Sequence, residues 1–252
     1  MSARRRVPGD ANVMLAGSDE SCDVNLYRSI VGSLIYASMT TRPDITHAVN
    51  ITSRFMHAPT TAHMRAALKI LRYLSGTTNH GIHYANHNNN TTEVSVTAYC
   101  DADWGGDKSD RKSTTGFCVF VNDNLISWGT KKQPTVALST AEAELMAIVE
   151  VVKEVKWMSM VLHELNLPVK KPMMIYSDNQ AAGKMSQHDV DHERTKHIDI
   201  RYHFIRDEIT NNEVAVKWVR TEQQVADIFT KMLHAPRFIS LRDRLVCRAS
   251  QL

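Results

Sequence analysis

The chain has 252 residues, 43% of them hydrophobic, enough for one substantial core or for one domain with a smaller appendage. A formal charge of +3 permits a nucleic-acid partner without demanding one, and no apolar run reaches the roughly eighteen residues of a membrane span. Four cysteines, Cys22, Cys100, Cys118 and Cys247, lack any C-x-x-C pair, which argues against a zinc knuckle or a secreted disulfide framework; they are read as reduced, intracellular thiols.

Residues 1–25 mix Arg, Gly, Asp, Ser and Asn without an apolar period and read as a disordered lead, in which Arg4-Arg5-Arg6 is a basic terminus with no apolar signal core behind it. From 26 to 85 the pattern is helical. Ser29–Ser38 is apolar with small residues, Pro43 suits a first helical turn, and Thr61–Leu74 sets Met64, Leu68, Leu71 and Leu74 on one face before Gly76. The polar run Asn86–Thr92 is the expected domain boundary.

From 93 to 233 the period changes. Glu93–Cys100 alternates, Gly116–Val121 is β-rich, and Asn122-Asp123-Asn124 has the turn chemistry to lead into Leu125–Trp128. A long helix is expected over Thr140–Leu165, stopped by Pro168, then a buried strand at Met173–Ser177. Helical segments near Asn179–Met185 and Arg194–Ile209, a strand at Val214–Val219 and a final helix from Glu222 through Lys231 complete the order, and 234–252 reads as a C-terminal tail. Three antiparallel strands followed by parallel additions joined through helices imply an α/β fold with a mixed five-stranded sheet flanked by helices.

Four carboxylates stand at useful places in that order: Asp101 at the end of the first strand, Glu144 in the first turn of the long helix, Asp178 after the fourth strand and Asp227 in the final helix. Carboxylates sharing a small volume repel, and a pair of Mg²⁺ ions bound through oxygen is the usual relief. Two such ions about 3.5–4 Å apart support in-line phosphodiester cleavage without a side-chain nucleophile. Against this, 27 acidic residues put some near strand ends by chance, and Glu144 also suits a helix N-terminus.

The local contexts are more specific than the spacing: Tyr99-Cys100-Asp101-Ala102-Asp103-Trp104, Ala143-Glu144-Leu145, Ile175-Tyr176-Ser177-Asp178-Asn179 and Val225-Ala226-Asp227-Ile228-Phe229. With Asp110-Arg111-Lys112-Ser113-Thr114-Thr115-Gly116, Ile126-Ser127-Trp128, Ser139-Thr140-Ala141-Glu142 and the run from His192 to His203, the set resembles the ribonuclease H domain of copia-type retrotransposon polyproteins. Tyr27–Tyr36 and Thr41–Ile45 resemble the end of the adjacent reverse transcriptase, so that 26–85 would be a thumb or connection remnant. The resemblance implies a ribonuclease H-like fold and a metal-dependent endonuclease that cuts the RNA strand of RNA·DNA hybrids, leaving 5′-phosphate and 3′-hydroxyl ends. It also implies Asp101, Glu144, Asp178 and Asp227 as catalytic ligands of two Mg²⁺ ions, with Mn²⁺ as an alternative. Asp103 and Glu142, two residues from the implied ligands, are left as supporting or solvent-facing groups.

Arg111, Lys112, Lys131 and Lys132 are candidates for tracking phosphates, with Ser113 and Thr114 as hydrogen-bond donors; a solvated basic rim is the alternative. The hybrid would be known by its A-like shape and 2′-hydroxyls. The run from His192 to His203 has no i, i+4 His pair and reads as a structural or phosphate-facing helix. Trp104 is a candidate for stacking on a base or sugar, whereas Trp128, Trp157 and Trp218 read as core.

Two departures matter. The segment before Asp227, Val219–Gln224, has no His, so the product-releasing His of many ribonucleases H has no counterpart. No Y-x-D-D occurs, so the chain has no polymerase site and the missing reverse transcriptase portion becomes a partner. The competing readings are a truncated, non-catalytic remnant that at most binds nucleic acid, and a DNA-cutting relative of the same fold. No membrane partner is expected, and the location implied is intracellular, in a cytoplasmic particle or the nucleus.

Overall fold

The computed structural model describes residues 7–9, 20–86, 93–179 and 196–248. They fall into two compact units: Met1–His83 with Gly129–Lys131 and Ile228–Leu252, and Tyr84–Trp128 with Lys132–Asp227.

The first unit is helical. Helix α1 (Val24–Thr40) starts where Asp23 Oδ1 accepts from the backbone N–H groups of Asn25 and Leu26, and it buries Tyr27, Val31, Leu34 and Ser38 at alternating steps of four and three. A 3-10 turn at Pro43–Ile45 leads into α2 (Thr46–Ser53), and α3 (Thr61–Ser75) begins in a capping box formed by Thr60 and His63. Between these helices Arg42 and Asp44 make a buried ion pair at 2.8 Å, and the Tyr73 hydroxyl donates to Asp44 at 2.6 Å, so neither charge is buried alone. A two-residue strand β1 (His80–Gly81) pairs antiparallel with Cys247–Arg248. Residues 235–242, expected to be tail, form a helix that buries Phe238 and Leu241.

The second unit is built on a five-stranded sheet: β2 (Val96–Asp103), β3 (Thr114–Val121), β4 (Asn124–Lys132), β5 (Met173–Ser177) and β6 (Val214–Trp218), in the order β4-β3-β2-β5-β6. β2 and β3 are antiparallel; β5 runs parallel to β2, and β6 parallel to β5. β3 turns into β4 through Asn122 and Asp123 at φ +46° and +62°, the left-handed pair that a two-residue hairpin needs. The central β2 therefore has an antiparallel neighbour on one side and a parallel one on the other. This is the mixed five-stranded α/β arrangement, antiparallel strands first and parallel ones added, that the sequence implied.

Helix α4 (Thr140–Glu164) covers the sheet. Ala143, Ala147, Ile148, Val151, Val152, Val155, Met158 and Leu162 meet Ala98, Cys100, Val119, Met173, Ile175 and Val216 in one core, joined by Tyr202 and Ile205 of α5 (Lys196–Thr210). Each large apolar side chain in it contributes about 1.5–3 kcal/mol.

Four expectations are corrected. β2 continues to Asp103, because β3 pairs with it as far as Asp103↔Thr114, so Asp101 stands inside the strand rather than at its end. Glu144 is the fifth residue of α4, just past its first turn, where the acidic residue is Glu142. The final helix from Glu222 is instead two 3-10 turns, Thr221–Gln223 and Val225–Phe229, interrupted at Gln224, whose backbone is extended at φ −71° and ψ 101°. Trp157 and Trp218 are 55% and 47% exposed and are not core residues. The expected helix Asn179–Met185, beyond Asn179, and residues 192–195 of the basic run lie outside the described residues.

Candidate metal centre

The pairing of β2 with β5 ends at Tyr99↔Tyr176, and the carboxylates gather where the two parallel strands part. The carboxyl ends of parallel strands at such a change of direction are the common ligand position of open α/β sheets. Asp101 comes from β2, Glu144 from α4 and Asp178 from the bend after β5; each offers an oxygen, and these oxygens lie within 4.8 Å of one another. Asp101 is 1% and Glu144 7% exposed, whereas Asp178 is half-buried.

Several contacts hold these groups. The backbone N–H of Ala102 donates to Glu144 Oε1 at 3.2 Å, tying α4 to β2. The Ser177 hydroxyl donates to Glu144 Oε2 at 3.5 Å and accepts from the Asn179 N–H at 3.2 Å. Asp178 is held from β6 and the turn after it: the Trp218 indole N–H donates to its carbonyl at 3.0 Å, and the Thr221 hydroxyl to its Oδ2 at 3.1 Å. Beyond the last β2–β5 pair, the Cys100 carbonyl accepts from Gln224 Nε2 at 2.9 Å, and Gln224 Oε1 accepts from the Ala226 N–H at 3.2 Å.

Asp227 is 4% exposed in the second 3-10 turn and does not join the 4.8 Å group. The rival carboxylates have other placements. Glu142 accepts from the Leu138 N–H at 2.7 Å while Ser139 caps Glu142, an arrangement that starts α4. Asp103 folds over Gly106, with Oδ2 only 1.8 Å from where a Cβ would stand.

The donor set suits hard divalent cations. Oxygens from three separate elements, without sulfur or imidazole, match Mg²⁺ or Mn²⁺ better than Zn²⁺. Two ionised carboxylates within 4.8 Å repel by about 3 kcal/mol or more at an effective dielectric near 20, which a cation between them would offset. The negative field reaches Cys100, whose thiol is pushed well above its usual range by burial and then by Glu144 and Asp101.

The expected substrate-contacting residues divide. The loop between β2 and β3 closes on itself: the Arg111 N–H donates to the Asp107 carbonyl at 2.8 Å, and the Asp107 N–H to the Lys112 carbonyl at 3.3 Å. Arg111, at φ +59°, is exposed and Lys112 half-buried. Ser113 and Thr114 are buried at 0% and 3%, and the Ser113 hydroxyl accepts from the Gly105 N–H at 3.1 Å. Lys132 is paired with Asp107 and, at 2.7 Å, with Asp110. Lys131 is exposed. Trp104 is 47% exposed while its indole N–H donates to the Ala137 carbonyl at 3.0 Å.

Ser177, Trp218, Thr221 and Gln224 escaped the sequence reading as site residues. The segment Val219–Gln224 drew notice only for lacking a His, and nothing in its composition announces that its hydroxyl and amide reach Asp178 and β2.

No protein-family profile matches the chain. It is 43% identical over 223 residues to the retrovirus-related Pol polyprotein from transposon RE1 of Arabidopsis thaliana, a match that covers 88% of the chain and 15% of that protein. It is 42% identical over 212 residues to the corresponding polyprotein from transposon TNT 1-94 of Nicotiana tabacum, covering 84% of the chain and 16% of that protein. Among solved structures, LC11-RNase H1, isolated from compost, is similar over 54% of this chain and 92% of its own, at 10% identity and a TM-score of 0.42, a likeness too distant to carry a functional reading. The chain thus spans about one seventh of the length of these curated relatives, and on the strength of the two polyprotein matches it belongs to the copia-type retrotransposon Pol polyproteins.

Proposed function

We propose that the chain is a divalent-metal-dependent endoribonuclease that cleaves the RNA strand of RNA·DNA hybrids and leaves 5′-phosphate and 3′-hydroxyl ends. The observation that carries the reading is the convergence of Asp101, Glu144 and Asp178 at the parting of two parallel strands, in a chain of a retrotransposon polyprotein family. Asp101, Glu144 and Asp178 are the residues that hold the cations, with Asp227 proposed as a fourth ligand. When bound, two Mg²⁺ or Mn²⁺ ions supply the charge compensation and water activation that in-line phosphodiester hydrolysis needs.

Around them the chain's own residues orient and exclude. Burial of Asp101 and Glu144 fixes their carboxylates, and the half-buried Asp178 leaves one side of the site open to a phosphodiester. Arg111, Lys112 and Lys131 are proposed to track backbone phosphates, a contact independent of sequence. Ser113, Thr114 and Lys132 serve that contact by shaping the loop, and Trp104 is proposed to stack on the substrate. The reverse transcriptase portion of the polyprotein is the proposed partner, and an intracellular location, in a particle or the nucleus, goes with that role; no described helix is long and apolar enough to cross a membrane.

The test is cleavage of an end-labelled RNA·DNA hybrid in Mg²⁺ or Mn²⁺. The unsubstituted protein should cut the RNA strand, and Asp178→Asn should lower the rate by roughly 100-fold or more. Cutting of duplex DNA instead would favour a DNA nuclease, and a folded protein that cuts neither would favour a non-catalytic remnant.

A further inference from the structure

Asp101 and Glu144 are buried between a strand and a helix that fix them, but Asp178 is the half-buried member of the group and stands on a bend beyond the last paired residue of β5. A carboxylate so placed keeps its direction only if something outside its own strand holds it. Two groups do. The Trp218 indole N–H donates to the Asp178 carbonyl at 3.0 Å and fixes the main chain, and the Thr221 hydroxyl donates to Oδ2 at 3.1 Å and fixes the rotation of the carboxylate. Their anchorage is firm: β6 pairs with β5 up to Ser177↔Trp218, and the Val219 N–H donates to the Ser177 carbonyl at 2.9 Å. A carboxylate oxygen that accepts one hydrogen bond keeps a further lone pair, and its partner oxygen stays open to a cation.

We infer that Thr221 and Trp218 are positioning residues for Asp178, setting the direction of the cation ligand that stands beyond the paired end of its own strand. The inference rests on the reading of Asp101, Glu144 and Asp178 as cation ligands. Groups that orient a metal ligand through hydrogen bonds commonly govern affinity by about tenfold or more. Neither residue touches a reacting atom, so their loss acts first on cation binding. Threonine supplies the hydroxyl and tryptophan the N–H, so each bond can be removed while the side chain's bulk is kept.

The experiment is Mn²⁺ titration of the full chain by calorimetry, with melting temperature in the absence of metal as the check on folding. Thr221→Val should weaken Mn²⁺ binding by roughly tenfold without moving the metal-free melting temperature, Thr221→Ser should restore it, and Trp218→Phe should weaken it in the same direction. Equal affinity in the unsubstituted protein and Thr221→Val overturns the inference while the ligand reading stands. Equal weakening in Thr221→Val and Thr221→Ser also overturns it, because the hydroxyl would then not be the cause. No Mn²⁺ binding by the unsubstituted protein overturns the ligand reading and the inference with it.

Discussion

Asp107 illustrates how neighbours decide the state of one residue. It is 3% exposed, so burial alone raises its carboxyl; the hydrogen bonds from Lys132 and from the Ser109 hydroxyl and N–H outweigh that and hold it below the usual carboxylate range. Lys132, read from sequence as a phosphate contact, is thereby engaged with Asp107 and Asp110. Lys132→Met would take from the buried Asp107 carboxylate the ammonium that hydrogen-bonds it. It should cost about 1–3 kcal/mol of stability in a denaturant melt and loosen the loop that carries Arg111, read as faster amide exchange over 105–113. A melt unchanged within 0.3 kcal/mol, taken as roughly the error of such measurements, would mean that the pair contributes nothing.

At the scale of elements, the segment 221–229 departs most from its sequence pattern. Apolar spacing through Val225, Ile228 and Phe229 suggested one helix, yet Gln224 breaks it in two. The reason is a tertiary bond: its fully buried side chain reaches the Cys100 carbonyl, which has passed the end of the β2–β5 ladder and needs a donor. A helix would have turned that amide away from β2. Gln224→Ala should therefore leave a buried carbonyl unsatisfied and a cavity beside it, destabilising the protein by roughly 2–4 kcal/mol, checked by urea unfolding.

For the molecule as a whole, acid sensitivity has two sources in the helical unit, His47 and His80, whose imidazoles burial lowers, and the larger shift is that of His47. His47 is 8% exposed, and burial, then the charge of Arg54, lowers its imidazole to about 4, against the opposing pull of the Phe229 carbonyl. The folded state thus keeps His47 neutral where the unfolded chain, near 6.5, takes up a proton. The His47 contribution to stability is full above pH 6.5 and is lost as pH drops from there to about 4, on the order of 3 kcal/mol in total. In His47→Gln that slope should flatten between pH 6.5 and 4; an unchanged slope in a series of chemical denaturations would assign the acid sensitivity elsewhere.

The order of elements, the hairpin at Asn122-Asp123, the long helix from Thr140 and the buried strand Met173–Ser177 were legible in the sequence, because hydrophobic period and turn chemistry are local properties. So was the family, which ordered motifs carry, and with it Asp101, Glu144 and Asp178 as candidates; Asp227, read with them, stands outside their group. Local pattern could not separate Glu142 from Glu144 or Asp103 from Asp101 on physical grounds. Only the tertiary structure sends Glu142 to the helix start, folds Asp103 over Gly106 and brings Asp101, Glu144 and Asp178 within 4.8 Å. It also turns Lys132 to Asp107 and Thr221 to Asp178, since each of those bonds joins residues 25 or more positions apart, a separation that periodicity cannot read.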